Sequence, residues 1–298
     1  MFFDNDRARA NDSSQRFLFE PDAVRGEIVR LGATWRAVLE RRDYPPALRL
    51  LLGEAMAATA LLTATVKLAG RVVMQIQGKG PITLLVVECT SDQTMRAMAK
   101  WTGRVPEGPL SVLVGNGQLA ITLEPSEGRE RYQGIVELVG ETIADALENY
   151  FVRSEQLQTR LWLAADHNQA AGMLLQRLPA DGIVDPETWF RAVQLGSTIT
   201  RKELLALPAR EIIYRLYHEE DIRVFDSIPF GFRCSCSRGR VSNVLRLLGP
   251  DEVGSILEEQ GLIRTNCEFC LQQYNFDRVD AKQIFVANVI PSVSAKIH

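Results

Sequence analysis

The sequence lacks a basic excess. Its 34 Lys and Arg stand against 37 Asp and Glu, a formal net charge of −3 with His neutral. Proteins that grip nucleic acid through its phosphates usually carry a surplus of cations, so that class is not expected here. The opening residues, MFFDNDRARANDSS, hold no apolar h-region, and no secretory signal is expected. The longest apolar stretch, Leu48 to Leu68, carries Arg49, Glu54 and Lys67. Charges at membrane depth are costly, so it reads as a buried helix, and no membrane partner is expected. Three histidines, His167, His218 and His298, are scattered, and no Ser-His-Asp spacing singles itself out. His218 and the acids Glu219, Glu220 and Asp221 read as a solvated helix end. No Walker pattern or GxGxxG opens a helix; VGNG and QGKGP read as turn chemistry. Repeats and low-complexity tracts are missing as well.

Cysteine is sparse, but its placement is informative. There are five, with no export signal, which implies a reducing, cytoplasmic setting. Clustered cysteines there are more often metal ligands or redox groups than structural disulfides. Four of the five fall in two pairs, Cys234 and Cys236 as CxC, Cys267 and Cys270 as CxxC, with thirty residues between. Cys89 stands alone in a strand-like run and reads as a small buried hydrophobe.

The rest of the chain suits two or three domains. Residues 1–14 are polar and read as a mobile extension. Strands are expected between Phe17 and Leu31, then a helix from Thr34 to Arg42. Pro46 suits the first turn of the long helix that follows. A strand-rich block comes next: Val72–Gln77, Ile82–Cys89, Leu110–Val114, Leu119–Leu123 and Tyr132–Leu138. Gly78-Lys79-Gly80-Pro81 and Gly115-Asn116-Gly117 carry hairpin signals. A helix from Thr142 to about Arg153 and strands near Thr159–Ala165 and Gly172–Leu178 complete the block. From Pro186 to Glu219 short amphipathic segments punctuated by Gly or Pro predict helices. The fold class is therefore α+β. The expected domains are an N-terminal core over 15–182, a helical linker over 183–229 and a small four-cysteine module over 230–298.

Zinc takes about four soft ligands near 2.3 Å in a tetrahedron. The CxxC supplies two thiolates from one tight turn of an expected hairpin. The CxC supplies two more if the backbone curls, which Gly231 and Gly239 could allow. One zinc on Cys234, Cys236, Cys267 and Cys270 is the expectation. Bound thiols are held as thiolates, and Arg233, Arg238, Arg240 and Arg264 beside them in sequence would favour that form further. An oxidant can turn each neighbouring pair into a local disulfide, a poor metal ligand. Structural zinc contributes roughly 10–16 kcal/mol to comparable small sites, so its loss should unfold the module. Together these features describe a reversible thiol switch.

At these residues the chain resembles the 33-kDa heat-shock chaperone family, the bacterial redox-regulated holdases. FRCSCSR and NCEFC followed by a tyrosine carry the likeness at the C-terminal end. It continues through VRG, LLTATVK, QGKGP, VGNG, PSEGRERYQG, LENYFVRSEQLQTRLWL, AAGMLLQ and LYHEEDIRVFD. The resemblance implies an ATP-independent, non-enzymatic chaperone, quiet when reduced and zinc-bound. Oxidation, usually with heat or hypochlorous acid, forms disulfides within the pairs Cys234–Cys236 and Cys267–Cys270, releases zinc and disorders the module and linker. The active protein, often a homodimer, then holds unfolding clients and passes them to ATP-dependent foldases. This chain departs from the family at Gly239, where glutamate is common, and at Leu271, where small or polar residues are usual. Two other readings of the cysteines are a thiol-disulfide oxidoreductase, which needs a CxxC at a helix start, and a zinc-ribbon nucleic-acid binder, which needs a basic stripe.

Overall fold

A computed structural model describes residues 12–20, 24–66, 68–126, 130–179 and 186–286. The chain divides into two compact units between Arg233 and Cys234.

The first unit is built on two six-stranded sheets. One has β1 (Asp12–Phe19), β2 (Val24–Leu31), β8 (Thr159–Ala165), β9 (Ala170–Arg177) and β10 (Ile222–Val224) in the order β10-β1-β2-β9-β8, with β11 (Ile228–Pro229) also on β1. The other runs β12-β5-β4-β3-β6-β7. Its strands are β3 (Gly70–Gly78), β4 (Ile82–Thr90), β5 (Thr94–Trp101), β6 (Gly117–Pro125), β7 (Tyr132–Glu137) and β12 (Gly231–Phe232). After β2 come α1 (Ala33–Leu39) and the long α2 (Pro46–Thr65). The backbone N–H groups of Gly32, Ala33 and Thr34, at the start of α1, donate to the Asp12 carboxylate.

Helix α2 is apolar nearly all round, from Leu48 to Ala64, and such a helix belongs inside a core. It packs against β2, β8 and β9 of the first sheet and against β3, β4 and β5 of the second. By length and composition it could cross a membrane, but 78 % of its apolar window is buried in the protein.

The first sheet is covered on both faces, and period-2 alternation assigns each residue to a side. Val29, Leu31, Ala170 and Leu174 join the core around α2. Phe17, Phe19, Val24, Ile28, Ala171, Met173 and Leu175 face a second core. The helices α5 (Pro186–Gly196), α6 (Arg201–Ala206) and α7 (Ala209–Tyr217) close that second core with Trp189, Ala192, Leu204, Ile212, Ile213 and Tyr217. Two glycines make room for it. A Cβ on Gly26 would lie 2.0 Å from the Phe17 ring, and one on Gly196 would lie 2.8 Å from the Tyr217 hydroxyl. Polar contacts add to the apolar ones. Buried Arg30 donates to the Leu205 and Leu207 carbonyls at the end of α6, 2.9 and 2.5 Å away. Arg201 pairs with Glu54 at 2.8 Å, and burial holds the Glu54 carboxyl above its ordinary range.

Several sequence readings are corrected. Leu110–Val114 is a short helix, α3, not a strand, so Gly115-Asn116-Gly117 joins a helix to β6 and makes no hairpin. Its buried residues Leu110, Leu113 and Val114 follow i, i+3, i+4 spacing, a helical period. Strand β5 was not foreseen, because its inward residues Met95, Ala97 and Ala99 are not strong strand formers. The helix from Thr142 becomes α4 (Ile143–Tyr150), opened by a Thr142–Asp145 capping box and followed by a π-helical turn, Phe151–Glu155. Of the expected extension, residues 1–11 lie outside the described residues, while Asp12, Ser13 and Ser14 belong to β1.

The second unit contains α8 (Arg238–Leu248), α9 (Pro250–Gln260), the hairpin β13 (Ile263–Asn266) and β14 (Gln273–Phe276), and α10 (Arg278–Val286). Its core is Leu245, Val253, Leu257, Ile263, Phe276, Ala281 and Ile284.

Candidate metal centre

The two cysteine pairs meet in the second unit. Cys234 and Cys236 lie in the extended segment before α8, and the Ser237 side chain caps that helix by accepting from the Arg240 N–H. Arg240 also donates to the Ser235 hydroxyl, between the two cysteines, at 2.5 Å. Cys267 and Cys270 lie in the turn joining β13 to β14. The Cys267 N–H donates to the Gln272 carbonyl at 2.9 Å, and the Leu271 N–H donates to the Cys267 carbonyl at 2.8 Å. Leu271 takes φ +59°, in the left-handed region. Gly231 and Gly239, expected to curl the CxC, do not have positive φ. The unusual backbone belongs to the other half of the site.

All four Sγ atoms lie within 4.8 Å of one another, and the residues are half-buried. Cys234 and Cys267 sulfurs are 3.6 Å apart, and Cys236 and Cys270 sulfurs 3.4 Å. Tetrahedral zinc with bonds near 2.3 Å would separate its sulfurs by about 3.8 Å. A disulfide needs about 2.05 Å, and all four cysteines are free. These two contacts each join one sulfur of CxC to one of CxxC, as around a common point. The donor set therefore fits a soft tetrahedral cation.

Charge points the same way. Burial, with the other three sulfurs crowding it, pushes the Cys270 thiol up to about 12, and burial also raises Cys267. Several thiolates cannot gather here without a cation to balance them. Two of the four arginines expected to favour the thiolates, Arg238 and Arg240, are engaged with other partners. Arg238 donates to the Asn275 carbonyl at 2.7 Å, pairs with Asp280 at 2.7 Å and stacks over the Phe276 ring at 4.2 Å. It straps the start of α8 to β14 and α10. Arg240 turns to Ser235.

The sequence reading missed one residue of the site. The Tyr274 hydroxyl is 3.1 Å from Cys236 Sγ. That hydrogen bond, followed by burial and the charge of the neighbouring sulfurs, raises the Tyr274 hydroxyl to about 12. The available signal was alternation: Tyr274 shares a strand face with Phe276, which anchors the small core. Cys89 is elsewhere, fully buried in β4, with burial raising its thiol to about 12. His167 neighbours Asn168, and His218 lies 3.9 Å from Glu219; neither joins the cluster. His298 lies outside the described residues. The CxxC occupies a hairpin turn rather than a helix start, which does not suit an oxidoreductase.

Comparison with known proteins follows the same lines. A family model described as Hsp33 protein matches residues 12–277. A protein of Nitrosococcus oceani named 33 kDa chaperonin is 49 % identical over 287 residues, covering 96 % of this chain and 99 % of that one. The 33 kDa chaperonin of Methylobacillus flagellatus is also 49 % identical, covering 94 % and 96 %. In fold, the chain is similar to the crystal structure of a 33 kDa chaperonin from Thermotoga maritima. The TM-score is 0.82 at 21 % identity, over 94 % of this chain and 99 % of that one.

Proposed function

The chain belongs to the Hsp33 family, and on that premise we propose that it is a non-enzymatic, ATP-independent holdase chaperone switched on by oxidation. Cys234, Cys236, Cys267 and Cys270 hold one zinc ion in the reduced, quiet state. Bound zinc would offset half the charge of the four thiolates and cross-link the segment before α8 to the β13–β14 turn.

Oxidation removes the donors. One thiolate of a pair takes chlorine from hypochlorous acid and hydroxide leaves. The neighbouring thiolate displaces chloride and closes the disulfide, so each pair loses two electrons. We assign the disulfides to Cys234–Cys236 and Cys267–Cys270. The second unit then depends on its small core alone and unfolds. We further propose that the linker helices α5–α7 follow, uncovering Trp189, Ile213 and Tyr217 and the sheet face with Phe17, Phe19 and Met173. Such apolar surface suits the exposed segments of unfolding clients. We place the protein in the cytoplasm, active as a homodimer, handing clients to ATP-dependent foldases.

The supporting observation is four sulfurs within 4.8 Å of one another on a unit with a small core. The test compares reduced, zinc-loaded protein with protein treated with hypochlorite. Aggregation of a heat-labile client should be suppressed only after treatment, with one zinc released and four thiols lost per chain. Peptide mapping should find the two disulfides within the pairs. Equal activity before and after oxidation defeats the switch, and disulfides between the pairs defeat the assignment.

A further inference from the structure

Residues 228–233, which run directly into Cys234, are stitched to both sheets of the first unit. β11 pairs with β1 at Ser13 and Ser14. β12 runs parallel to β5, with Gly231 opposite Thr94 and Phe232 opposite Met95. The Phe230 N–H donates to the Asp12 carbonyl at 2.8 Å. The Gly231 and Arg233 N–H groups donate to the Gln93 and Met95 carbonyls, each at 3.0 Å. Phe230 is buried in the core around α2. Phe232 packs against that core, with the Arg41 guanidinium 4.0 Å from its ring. The glycine between them faces open space: among the described residues, a Cβ there would meet nothing within 4 Å. Without this strap β5 would be the edge strand of its sheet, with backbone groups free to pair and two aromatic seats beside them.

We propose that Phe230, Gly231 and Phe232 stand in for a client, and that the β5 edge they cover is a docking site for extended segments of unfolding proteins. The segment it takes has large apolar residues two apart and any residue between. The proposal rests on the holdase reading above and says where and how that holdase grips. Strand pairing at a sheet edge gives affinity through the main chain, which every sequence has, while pockets for alternate side chains select among segments. The seats of Phe230 and Phe232 supply the selection, and the open position of Gly231 keeps it broad. The tether accounts for the quiet state. A segment joined to its own site by a short link acts at an effective concentration of about millimolar, so a free segment of similar affinity does not displace it. The strap lies between the linker helices and Cys234, so the unfolding proposed for both flanks leaves it held by its own few bonds.

The experiment uses the full chain, either reduced and zinc-loaded or treated with hypochlorite. The probe is a fluorescent peptide, Ile-Pro-Phe-Gly-Phe-Arg, blocked at both ends and followed by anisotropy. The oxidised chain should bind it at least about tenfold more tightly than the reduced chain, where the tethered strap competes. Methylating the two peptide nitrogens that match Gly231 and Arg233 should weaken binding about tenfold or more, the size of two ordinary net hydrogen bonds. Exchanging the peptide's glycine for serine or lysine should change affinity by less than about twofold, because that side chain enters open space. Exchanging either phenylalanine for serine should abolish binding. Arg41→Ala, which leaves both aromatic seats in place, should weaken the peptide about two- to fivefold. With benzoylphenylalanine as its second aromatic residue, the peptide should crosslink to the Arg41 turn or to β5. Equal binding to reduced and oxidised chains, indifference to methylation, or crosslinks confined to the sheet face beneath α5–α7 overturn the proposal. An oxidised chain that suppresses no client aggregation defeats the functional reading. One that suppresses aggregation and ignores the peptide defeats this proposal alone.

Discussion

The two units solve the same problem with different means. The first buries a twenty-residue helix, α2, among strands of two sheets and closes a second core beneath the linker helices. Among the described residues, the second has seven buried apolar side chains on three helices and one hairpin. Cysteine makes the contrast concrete. Cys89 is fully buried in the first unit and is part of the packing around α2. The four half-buried cysteines of the second unit bring the segment before α8 against the β13–β14 turn. One unit is stabilised by area, which no single reaction removes. Under the proposed function, the other would be stabilised at a metal site that two oxidation events would erase.

Stripping the metal should therefore give the largest and most selective effect. Zinc in comparable sites contributes roughly 10–16 kcal/mol to folding. With a strong chelator, or in Cys267→Ser, amide protection should be lost from α8 through α10. Protection in α2, β3 and β4 should persist. Hydrogen exchange followed by mass spectrometry reads both regions in one sample. Loss of protection in both units at the same chelator concentration would break the comparison, because the first unit would then depend on the metal too.

The linker helices test an intermediate case within the first unit. Tyr217 is 1 % exposed, its ring lies 5.0 Å from Phe19 and 5.7 Å from Phe17, and its hydroxyl donates to the Ala192 carbonyl at 3.3 Å. Removing a buried aromatic ring costs about 3–5 kcal/mol. Tyr217→Ala should lower exchange protection across α5–α7 by two to three orders of magnitude while β3 and β4 hold. If client binding uses the face beneath these helices, the reduced variant should also suppress aggregation in part. Unchanged protection over 186–217 would show that docking depends on the polar contacts of Arg30 and Arg201 instead.

Local pattern carried much of this organisation. Alternation located most strands, and the all-round apolar character of Leu48–Ala64 marked α2 as buried. The spacing of the cysteines predicted that the four sulfurs would meet, and they lie within 4.8 Å of one another, because cysteines in two close pairs have few uses that keep them apart. Pattern failed where the signal is weak or distant. The strand β5 is made of Met and Ala on its inner face, and α3 is too short to show its period clearly beside Gly115 and Gly117. Arg30 reaches carbonyls 175 and 177 residues away, a partnership no window of sequence contains. Of the arginines near the cysteines in sequence, Arg238 straps α8 to β14 and α10 and Arg240 reaches a hydroxyl, since proximity along the chain does not fix where a long side chain ends.

The smallest effect is the sharpest test of the difference between the units, because it should have opposite signs in them for the same residue type. Leu61 in α2 is fully buried, and Leu61→Ala should cost about 2–5 kcal/mol. Leu271 follows the CxxC at φ +59° and is 41 % exposed. A left-handed backbone costs a branched side chain roughly 1 kcal/mol or more, and little burial is returned here. The Leu271 N–H must still donate to the Cys267 carbonyl, so the replacement has to keep its N–H. Asn or Gly does so and tolerates the conformation. Leu271→Asn should therefore stabilise the zinc-loaded second unit by about 0.5–1 kcal/mol in urea unfolding followed by exchange protection of β13 and β14. Stabilisation would mean that the turn carrying Cys267 and Cys270 is held strained by the metal, so that losing the metal also releases the turn. Destabilisation would mean that the Leu271 side chain packs usefully after all, and that the second unit draws more on apolar contact than its seven-residue core suggests.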